Sequence, residues 1–408
     1  MRITTNATYR KYTSSVNDVH SKLIKSFNKI SSGAAYETAA DNPLAYYTGK
    51  KIDDQYLDTV SKNTLLTDVK NRLYQQELGA RDIQDVLSKA KKQVQYARTA
   101  TTTGEHDIQT IKEDLIQKVR TIANDLNTQY QDFYIYGGND VKTTPFDLNV
   151  GLSYADPNDP TDTTKPNVTL TYRHTFPGET NVTEFQIQFA YDDTGENFEA
   201  TLLTGKDADG NDLGKMDDLI RAMSEQGRID IGYGSISNRD TLLDTYTGGL
   251  NILTGLNSDA VRSLNEGDQA NGTTNASDRI MEALSQSPIA LVSKAIISIN
   301  DYNSESSPSN GDKDLLDGRL AATIDEMTVT EHTISTAYSD LGNKYLLLEE
   351  TGKKLDSVED SLMEQYKDVL GADPYASVME MFTNQYAYNA ALQVGSKLMT
   401  SSLFDFVR

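Results

Sequence analysis

The chain has 408 residues, no cysteine and no tryptophan, and a formal net charge of −22 at pH 7. This length allows two or three domains with a buried core, and the lack of cysteine excludes disulfides, thiolate metal sites and cysteine nucleophiles. Residues 1–34 carry a net charge of +5, whereas residues 140–275 carry 23 acidic and 9 basic side chains. Because phosphates require a basic face, the acidic middle argues against nucleic-acid binding. We interpret it as a solvated surface.

The first predicted element is an amphipathic helix at the N-terminus. Its seam has steps of three and four residues: Tyr9, Tyr12, Val16, Val19, Leu23, Ser26 and Ile30. We expect Gly33 of Lys29-Ile-Ser-Ser-Gly33 to end this helix in the left-handed conformation, and Asp41-Asn42 to cap a second helix that starts at Pro43. The N-terminus lacks the apolar core and cleavage site of a secretory signal, so an exported chain would keep it.

Two long helical seams follow, on either side of the middle of the chain. The first consists of Leu66, Val69, Leu73, Gln76, Ala80, Ile83, Leu87, Ala90, Val94 and Ala97. The second consists of Leu320, Ile324, Met327, Glu331, Ile334, Tyr338, Leu341, Tyr345, Leu348, Gly352, Leu355, Glu359, Leu362, Tyr366 and Val369, with Glu331, Gly352 and Glu359 as its flaws. Such spacing is typical of coiled-coil packing. With further helices predicted at 108–130 and 280–299, it indicates a bundle of long helices.

The middle of the chain shows the alternation of β-strands. Apolar residues alternate from Val168 to Phe176 and from Phe185 to Tyr191, and a shorter run extends from Phe198 to Leu202. Pro177-Gly178 and Asp192-Asp193-Thr194-Gly195 separate these runs, which predicts an antiparallel meander. Polar stretches at 155–166 and 265–278 flank it. The simplest architecture is an all-β insertion carried on a helical stalk.

The last predicted element is a second terminal helix, with a seam at Val378, Met381, Gln385, Tyr388, Leu392, Gly395 and Met399. Neither terminal helix has a globular neighbour in sequence on which to pack. Helices of this kind are marginal alone and become stable when packed.

No motif indicates catalysis or a cofactor. No two of the four histidines have metal-ligand spacing, and phosphate-binding loops and nucleophile motifs do not occur. The run from Asp207 to Asp218 resembles the start of a calcium loop, but Asp212 replaces the turn glycine and Asp218 replaces the bidentate glutamate. We interpret this run as a polar turn. The longest apolar stretch, residues 288–299, is too short to span a bilayer and contains Lys294.

Several motifs, in this order, resemble the flagellin family of flagellins and hook-associated proteins. At the ends these are Lys29-Ile-Ser-Ser-Gly33, Ala40-Asp-Asn-Pro-Leu-Ala45, Tyr386-Ala-Tyr-Asn-Ala-Ala-Leu-Gln-Val-Gly395 and Ser402-Leu-Phe-Asp-Phe406. Asp132-Phe-Tyr-Ile-Tyr-Gly-Gly138 with Lys142-Thr-Thr-Pro-Phe146 is closer to the proteins of the hook–filament junction than to filament flagellins. The resemblance covers about residues 1–146 and 310–408.

The helical seams, the strand alternation of the middle and the resemblance of the two ends together predict an α+β fold in three parts. Residues 1–45 plus 371–408 would be terminal axial-core helices that order on assembly, 46–140 plus 276–370 a long-helix bundle, and 141–275 a β-rich outer domain. We expect packing residues at both ends to form the assembly interface: Leu23, Phe27, Ile30, Tyr388, Leu392, Met399, Leu403 and Phe404.

The implied function is structural: a non-enzymatic, extracellular flagellar subunit at the hook–filament junction, exported without a cleaved signal peptide. Its expected partners are hook-associated protein 1 on the hook side, flagellin on the filament side, further copies of itself in a ring, the flagellar export apparatus and an export chaperone. No cofactor, metal, nucleic acid or membrane is expected. A filament flagellin and a secreted coiled-coil adhesin are the alternatives.

Overall fold

A computed structural model describes residues 2–36, 38–100, 105–154, 165–192, 194–206, 210–225, 228–230, 242–244, 248–304 and 309–404. The chain divides into two compact units. The terminal unit extends up to residue 64 and resumes at residue 352, and the central unit comprises residues 65–351.

Long helices from both halves of the chain frame an inserted antiparallel β region, which confirms the predicted α+β fold class. The helices are α1 (Arg2–Ser32), α2 (Pro43–Ala100), α3 (Glu105–Asp125), α4 (Met216–Ser224), α5 (Gly249–Thr254), α6 (Ser258–Asn271), α7 (Asn275–Ser285), α8 (Pro288–Ser304), α9 (Asn310–Leu370) and α10 (Pro374–Phe404). The strands are β1 (Gln129–Tyr130), β2 (Phe133–Tyr134), β3 (Phe146–Gly151), β4 (Asn167–His174), β5 (Thr183–Tyr191), β6 (Phe198–Leu203), β7 (Arg228–Asp230) and β8 (Leu242–Asp244).

In the central unit, α2 and α9 bury the two seams that the sequence predicts. Every predicted seam residue from Leu66 to Ala97 is at most 3% exposed. On α9 the seam residues Leu320, Met327, Ile334, Leu341 and Leu348 are likewise buried, whereas Ile324, Tyr338 and Tyr345 are half-buried. The two helices run antiparallel, since Arg98 pairs with Asp317 and the ring of Tyr74 lies 5.8 Å from that of Tyr345.

The polar residues of these seams have polar partners. Glu331 forms an ion pair with Lys91 of α2. The buried Gln76 donates from Nε2 to the carbonyl of Ile135 at 2.5 Å. In the terminal unit, Glu359 accepts a hydrogen bond from the Tyr56 hydroxyl at 3.3 Å. Because an unpaired buried polar group is costly, these partners reduce the penalty of breaking the apolar pattern, although Oε1 of Glu331 is buried without a hydrogen-bond partner among the described residues.

Helix α8 is the centre of the central unit. Residues 289–293 and 295–299 are at most 2% exposed, as expected for a helix that is apolar all round. It packs antiparallel on α3, where Lys112 donates to Asn300 at 3.1 Å and Asn303 donates to Gln109 at 3.0 Å. The predicted helix at 280–299 is in fact α7 and α8, bent by 56°, because Pro288 cannot continue the hydrogen-bond ladder.

The predicted helix at 108–130 ends earlier than expected, at Asp125, and β1 follows. None of the described helices is by itself long and apolar enough to cross a membrane; α7 and α8 meet that requirement only as a bent pair.

The four-stranded sheet is the predicted antiparallel meander with one additional strand. Its order is β3-β4-β5-β6, with Val168 opposite Phe189, Leu170 opposite Ile187, and Tyr172 opposite Phe185. The apolar residues of β4 and β5 are buried on the face that packs on α8. The sequence analysis did not predict β3, because Phe146-Asp-Leu-Asn-Val-Gly151 contains only three large apolar residues, separated by Asp147 and Asn149.

The insertion is not all-β, which corrects the prediction for the middle of the chain. Helices α4, α5 and α6 follow the sheet, and the stretch at 265–278, predicted as a polar connection, belongs mainly to α6 and α7. Gly272 ends α6 at φ 67°, and Asp268 caps α7 by accepting from the amides of Asn275 and Ala276. The polar residues therefore supply helix ends rather than a loop.

The Tyr-Gly-Gly segment packs on α2. The buried Tyr136 donates from its hydroxyl to the carbonyl of Gln76 at 2.6 Å. Gly79 leaves room for this ring, since a Cβ there would lie 2.6 Å from the Tyr136 hydroxyl oxygen. Gly138 adopts φ 66°, and a Cβ on Gly137 would lie 1.9 Å from the carbonyl oxygen of Asp140. Both glycines are thus required by the backbone.

Asp125, at the end of α3, is expected to make the stability of the central unit depend on pH. Burial, with a smaller contribution from Asp82, raises its pKa from 3.8 to about 6. The folded state therefore binds the proton more tightly than the unfolded chain, and this stabilisation is lost as pH rises through about 6. After a discount for partial exposure, we expect Asp125→Asn to stabilise the unit by about 1 to 2 kcal/mol at pH 8.

The measurement is urea unfolding of the full chain at pH 8 and at pH 4. The gain should disappear at pH 4, and the exposed Asp314→Asn should show no gain at either pH. If Asp125→Asn changed the free energy of unfolding equally at both pH values, the raised pKa of Asp125 would be contradicted.

Candidate assembly interface in the terminal helices

Gly33 and Asn42 shape the turn between α1 and α2 as the sequence predicts. Gly33 adopts φ 68° and its amide donates to the carbonyl of Lys29, which ends α1. The side chain of Asn42 accepts from the amide of Ala45 at 3.2 Å, and α2 begins at Pro43. Asp41 instead accepts from Lys25 and Thr38, and the hydrogen bond from Lys25 is the main reason that its pKa is lowered.

A short backbone bridge holds the start of α10 beside this turn. The amide of Ala35 donates to the carbonyl of Leu370 at 2.6 Å, and that of Ala372 donates to the carbonyl of Gly33 at 2.8 Å. Asp373 caps α10 by accepting from the amides of Tyr375 and Ala376. The two terminal helices therefore start their pairing from a fixed junction.

From this junction α1 and α10 run antiparallel in contact. Lys29 forms an ion pair with Glu380 at 3.1 Å. Farther along, the ring of His20 lies 5.3 Å from that of Tyr388.

At the far end of the pair, the hydroxyl of Tyr12 donates to the carbonyl of Ala391 at 2.9 Å. The helices approach closely here, since a Cβ on Gly395 would lie 1.8 Å from the Tyr12 hydroxyl oxygen. Residues that the sequence assigned to the two terminal seams, Tyr12 and Gly395 among them, thus meet each other.

The eight predicted interface residues separate into three groups. Leu23 and Tyr388 are half-buried, in line with the seams of the α1–α10 pair. Phe27 is 61% exposed, and Ile30 and Leu392 are also exposed, so these three are available to a partner. For Met399, Leu403 and Phe404, the backbone belongs to α10 but the side chains lie outside the described part of the structure.

A second set of apolar residues, which the sequence reading did not select, lies on α10. We call it the outer stripe; it consists of Tyr375, Met379, Phe382, Tyr386 and Val394. All five are at least half exposed, and Tyr386 is 79% exposed. At about 100° per residue, the first four members lie roughly opposite the face that carries Asn384, Tyr388 and Gly395, and Val394 lies to one side, between the two faces.

The signal for this stripe was present in the sequence. Its first four members have steps of four, three and four residues, which is a helical seam in its own right. Among its 31 residues α10 carries only two charged side chains, Glu380 and Lys397. A helix with apolar residues on opposite faces is expected to be covered on both. Within the described chain, α1 covers one face and leaves the outer stripe exposed.

The described residues contain no group of three or more acidic or histidine side chains that could hold a metal ion. Asp207 and Asp209, from the run that resembles a calcium loop, lie outside the described residues. Lys206 and Asp212, which flank them, form an isolated antiparallel bridge. His174 is buried against Tyr172 and Phe176, which is a packing role.

No family model and no curated protein matches the sequence. Among solved structures, the chain is similar to a putative flagellar hook-associated protein from Vibrio parahaemolyticus, with 10% identity, a TM-score of 0.46, and coverage of 81% of this chain and 100% of that one.

It is also similar to FlgL from Bacillus cereus, with 14% identity, a TM-score of 0.36, and coverage of 78% and 99% of the two chains. It is similar, too, to flagellar hook associated protein-3 from Legionella pneumophila, with 13% identity, a TM-score of 0.40, and coverage of 78% of this chain and 98% of that one. The chain is thus similar to solved flagellar hook-associated proteins, the class that its terminal motifs resemble.

Proposed function

We propose that the chain is a structural subunit of the bacterial flagellum that assembles through α1 and α10 and performs no catalysis. The observation that carries this proposal is the outer stripe of α10. It exposes large apolar and aromatic side chains on one face of a helix whose opposite face is already paired. Exposed apolar patches of this kind mark interaction sites. Self-assembly of many copies supplies the same covering surface to each.

Within the flagellum, the position we propose is the hook–filament junction, the place of hook-associated protein 3. The support is the Tyr-Gly-Gly segment with Thr-Pro-Phe, which resembles junction proteins and packs on α2 through Tyr136. Copies would form a ring that binds hook-associated protein 1 on one side and flagellin on the other. The subunit would be extracellular, exported through the flagellar apparatus with an export chaperone and without a cleaved signal peptide.

The terminal helices are proposed to become ordered on assembly. The α1–α10 pair is the only covering that the described chain provides for either helix away from the junction, and an isolated two-helix pair is marginal. A subunit whose ends remain loose until they meet other copies would not polymerise early.

A truncation tests the terminal assembly. Deleting residues 396–408 removes the end of α10, including Met399, Leu403 and Phe404. We expect a folded monomer, because the central unit keeps its buried seams, and a complete loss of incorporation into flagella. Circular dichroism and electron microscopy of the complemented strain measure the two results. Normal filaments and motility with the truncated chain would rule out the terminal-assembly hypothesis.

A filament flagellin is the second candidate, because the terminal motifs are shared by the whole family. A fluorescent label on the central unit separates the two functions. A junction subunit gives one spot at the filament base, whereas a filament subunit labels the entire length. A secreted adhesin would give neither pattern, and its monomer would have protease-resistant ends.

A further inference from the structure

One side of α1 carries a row of basic side chains, which we call the lysine stripe: Lys11, Lys22, Lys25 and Lys29. Lys25 pairs with Asp41 and Lys29 with Glu380. In the described part of the chain, Lys11 and Lys22 have no carboxylate within ion-pair distance. Asp18 is the one acidic residue on this side of α1.

The lysine stripe forms one wall of a groove. Lys22, Lys25 and Lys29 line it together with Tyr36, Asp41 and Glu380, all of them in the terminal unit. Asp41 neutralises Lys25 and Glu380 neutralises Lys29. Lys22 therefore gives the groove a net positive charge. Such a groove fits a partner that presents carboxylates in a row.

The last turns of α9, also in the terminal unit, carry such a row. Asp360, Glu364 and Asp368, which we call the carboxylate stripe, are exposed at steps of four residues. Like charges four residues apart on a helix repel one another. Elsewhere in the chain carboxylates have a lysine four residues on, as in Asp58–Lys62 and Asp85–Lys89. Among described residues the carboxylate stripe has no ion-pair partner, and the exposed Lys367 beside it forms none.

The spacings of the two stripes agree. At about 1.5 Å per residue, Lys22 to Lys29 spans about 10 Å and Asp360 to Asp368 spans about 12 Å. Both stripes repeat about once per helical turn. An acidic helix laid along the groove would therefore place successive carboxylates near successive lysines.

We propose that the carboxylate stripe of one copy docks against the lysine stripe of a neighbouring copy. This inference rests on the proposed function, which requires terminal units of different copies to pack side by side. The outer stripe supplies apolar area to the contact, and the ionic contact fixes its orientation and register, as charge complementarity does at other interfaces. Exposed ion pairs are screened, so the contact weakens with salt.

Complementary charge reversals of the full-length chain test the proposal. One variant carries Lys22→Glu, the groove lysine without an ion pair among the described residues, and the other carries Glu364→Lys, the middle residue of the carboxylate stripe. Each alone places like charges against each other, and we expect its self-association constant to fall about fivefold at low ionic strength. A 1:1 mixture restores opposite charges across the contact, so it should associate nearly as strongly as the original chain.

Analytical ultracentrifugation at low and high salt measures these constants. A mixture that associates no better than either variant alone would overturn the proposal, as would variants that associate like the original chain. Asp18→Asn, which removes the acid from the lysine stripe, should strengthen association. Lys51→Glu and Asp314→Lys, exposed charges elsewhere on α2 and α9, are the matched controls and should change nothing.

Two outcomes in the cell distinguish an error in the stripe contact from an error in the proposed function. If the labelled chain occupies the flagellum and the reversed variants occupy it equally well, the subunit role stands and the stripe contact is wrong. If the original chain never enters the flagellum, the proposed function itself fails. Binding of the lysine stripe to phosphatidylglycerol vesicles, with self-association unaffected by the reversals, would also overturn the contact between copies.

Discussion

Replacing Phe382 and Tyr386 by glutamine is expected to abolish incorporation into flagella while leaving the chain folded. Both side chains lie on the outer stripe, away from α1, and are 57% and 79% exposed. Burying their exposed parts against another copy would contribute roughly 2 kcal/mol each. Losing both side chains therefore lowers the association constant of each contact about a thousandfold. Glutamine keeps the helix propensity of α10 high, so the change acts on the surface and not on the helix.

Incorporation is measured by immunoblotting of sheared flagella, and folding by circular dichroism. The matched control is Tyr96→Gln on α2 in the central unit, where the tyrosine is 62% exposed but does not belong to the outer stripe. That variant should be incorporated normally. If the Phe382/Tyr386 variant were incorporated as well as the control, the outer stripe would not be the assembly surface.

Gly395→Val is expected to separate α1 from α10. A Cβ at this position would lie 1.8 Å from the hydroxyl oxygen and 2.4 Å from Cζ of Tyr12, and the ring is held by its hydrogen bond to Ala391. Overpacking at so close an approach costs about 3 kcal/mol or more. Such a cost exceeds what a marginal two-helix pair can absorb.

The chain has no cysteine, so pairing in the assembled state can be measured directly by crosslinking His20→Cys to Tyr388→Cys with a short bismaleimide. The rings of His20 and Tyr388 lie 5.3 Å apart, and we expect Gly395→Val to remove most of this crosslink. Gly318→Val on α9 is the control, because a Cβ there meets nothing within 4 Å.

Removing the obstructing ring provides a second check on Gly395. Tyr12→Ala combined with Gly395→Val should recover part of the crosslink, because the added side chain then occupies the space of the ring. An undiminished crosslink in Gly395→Val would contradict the observed approach of the helices.

The sequence predicted the helical seams well because their cause is local. A residue every three or four positions faces one side of a helix whatever lies opposite, so Leu66 to Ala97 could be placed in the core without knowing their partners. The same holds for Gly33 and Asn42, whose backbone and capping preferences belong to the residues themselves. The strands from Val168 to Tyr191 alternate for an equally local reason.

The elements that the sequence misjudged depend on contacts distant along the chain. Strand β3 carries Asp147 and Asn149 between its apolar residues, and its pairing with β4 identifies it as a strand. Pro288 is the exception, because the break that it causes between α7 and α8 is local and the predicted helix at 280–299 overlooked it. The three-part division of the chain and the ordering of its ends on assembly stay predictions.

For the candidate interface, the sequence determined that both ends carry helices with apolar seams and that α10 is nearly free of charge. Only the tertiary structure decided which apolar residues remain available. Pairing with α1 covers the face of α10 that carries Tyr388 and Gly395 and leaves Phe382 and Tyr386 exposed. The physical reason is that periodicity shows which residues share a face, whereas burial depends on what packs there, and that partner lies more than 350 residues away along the chain.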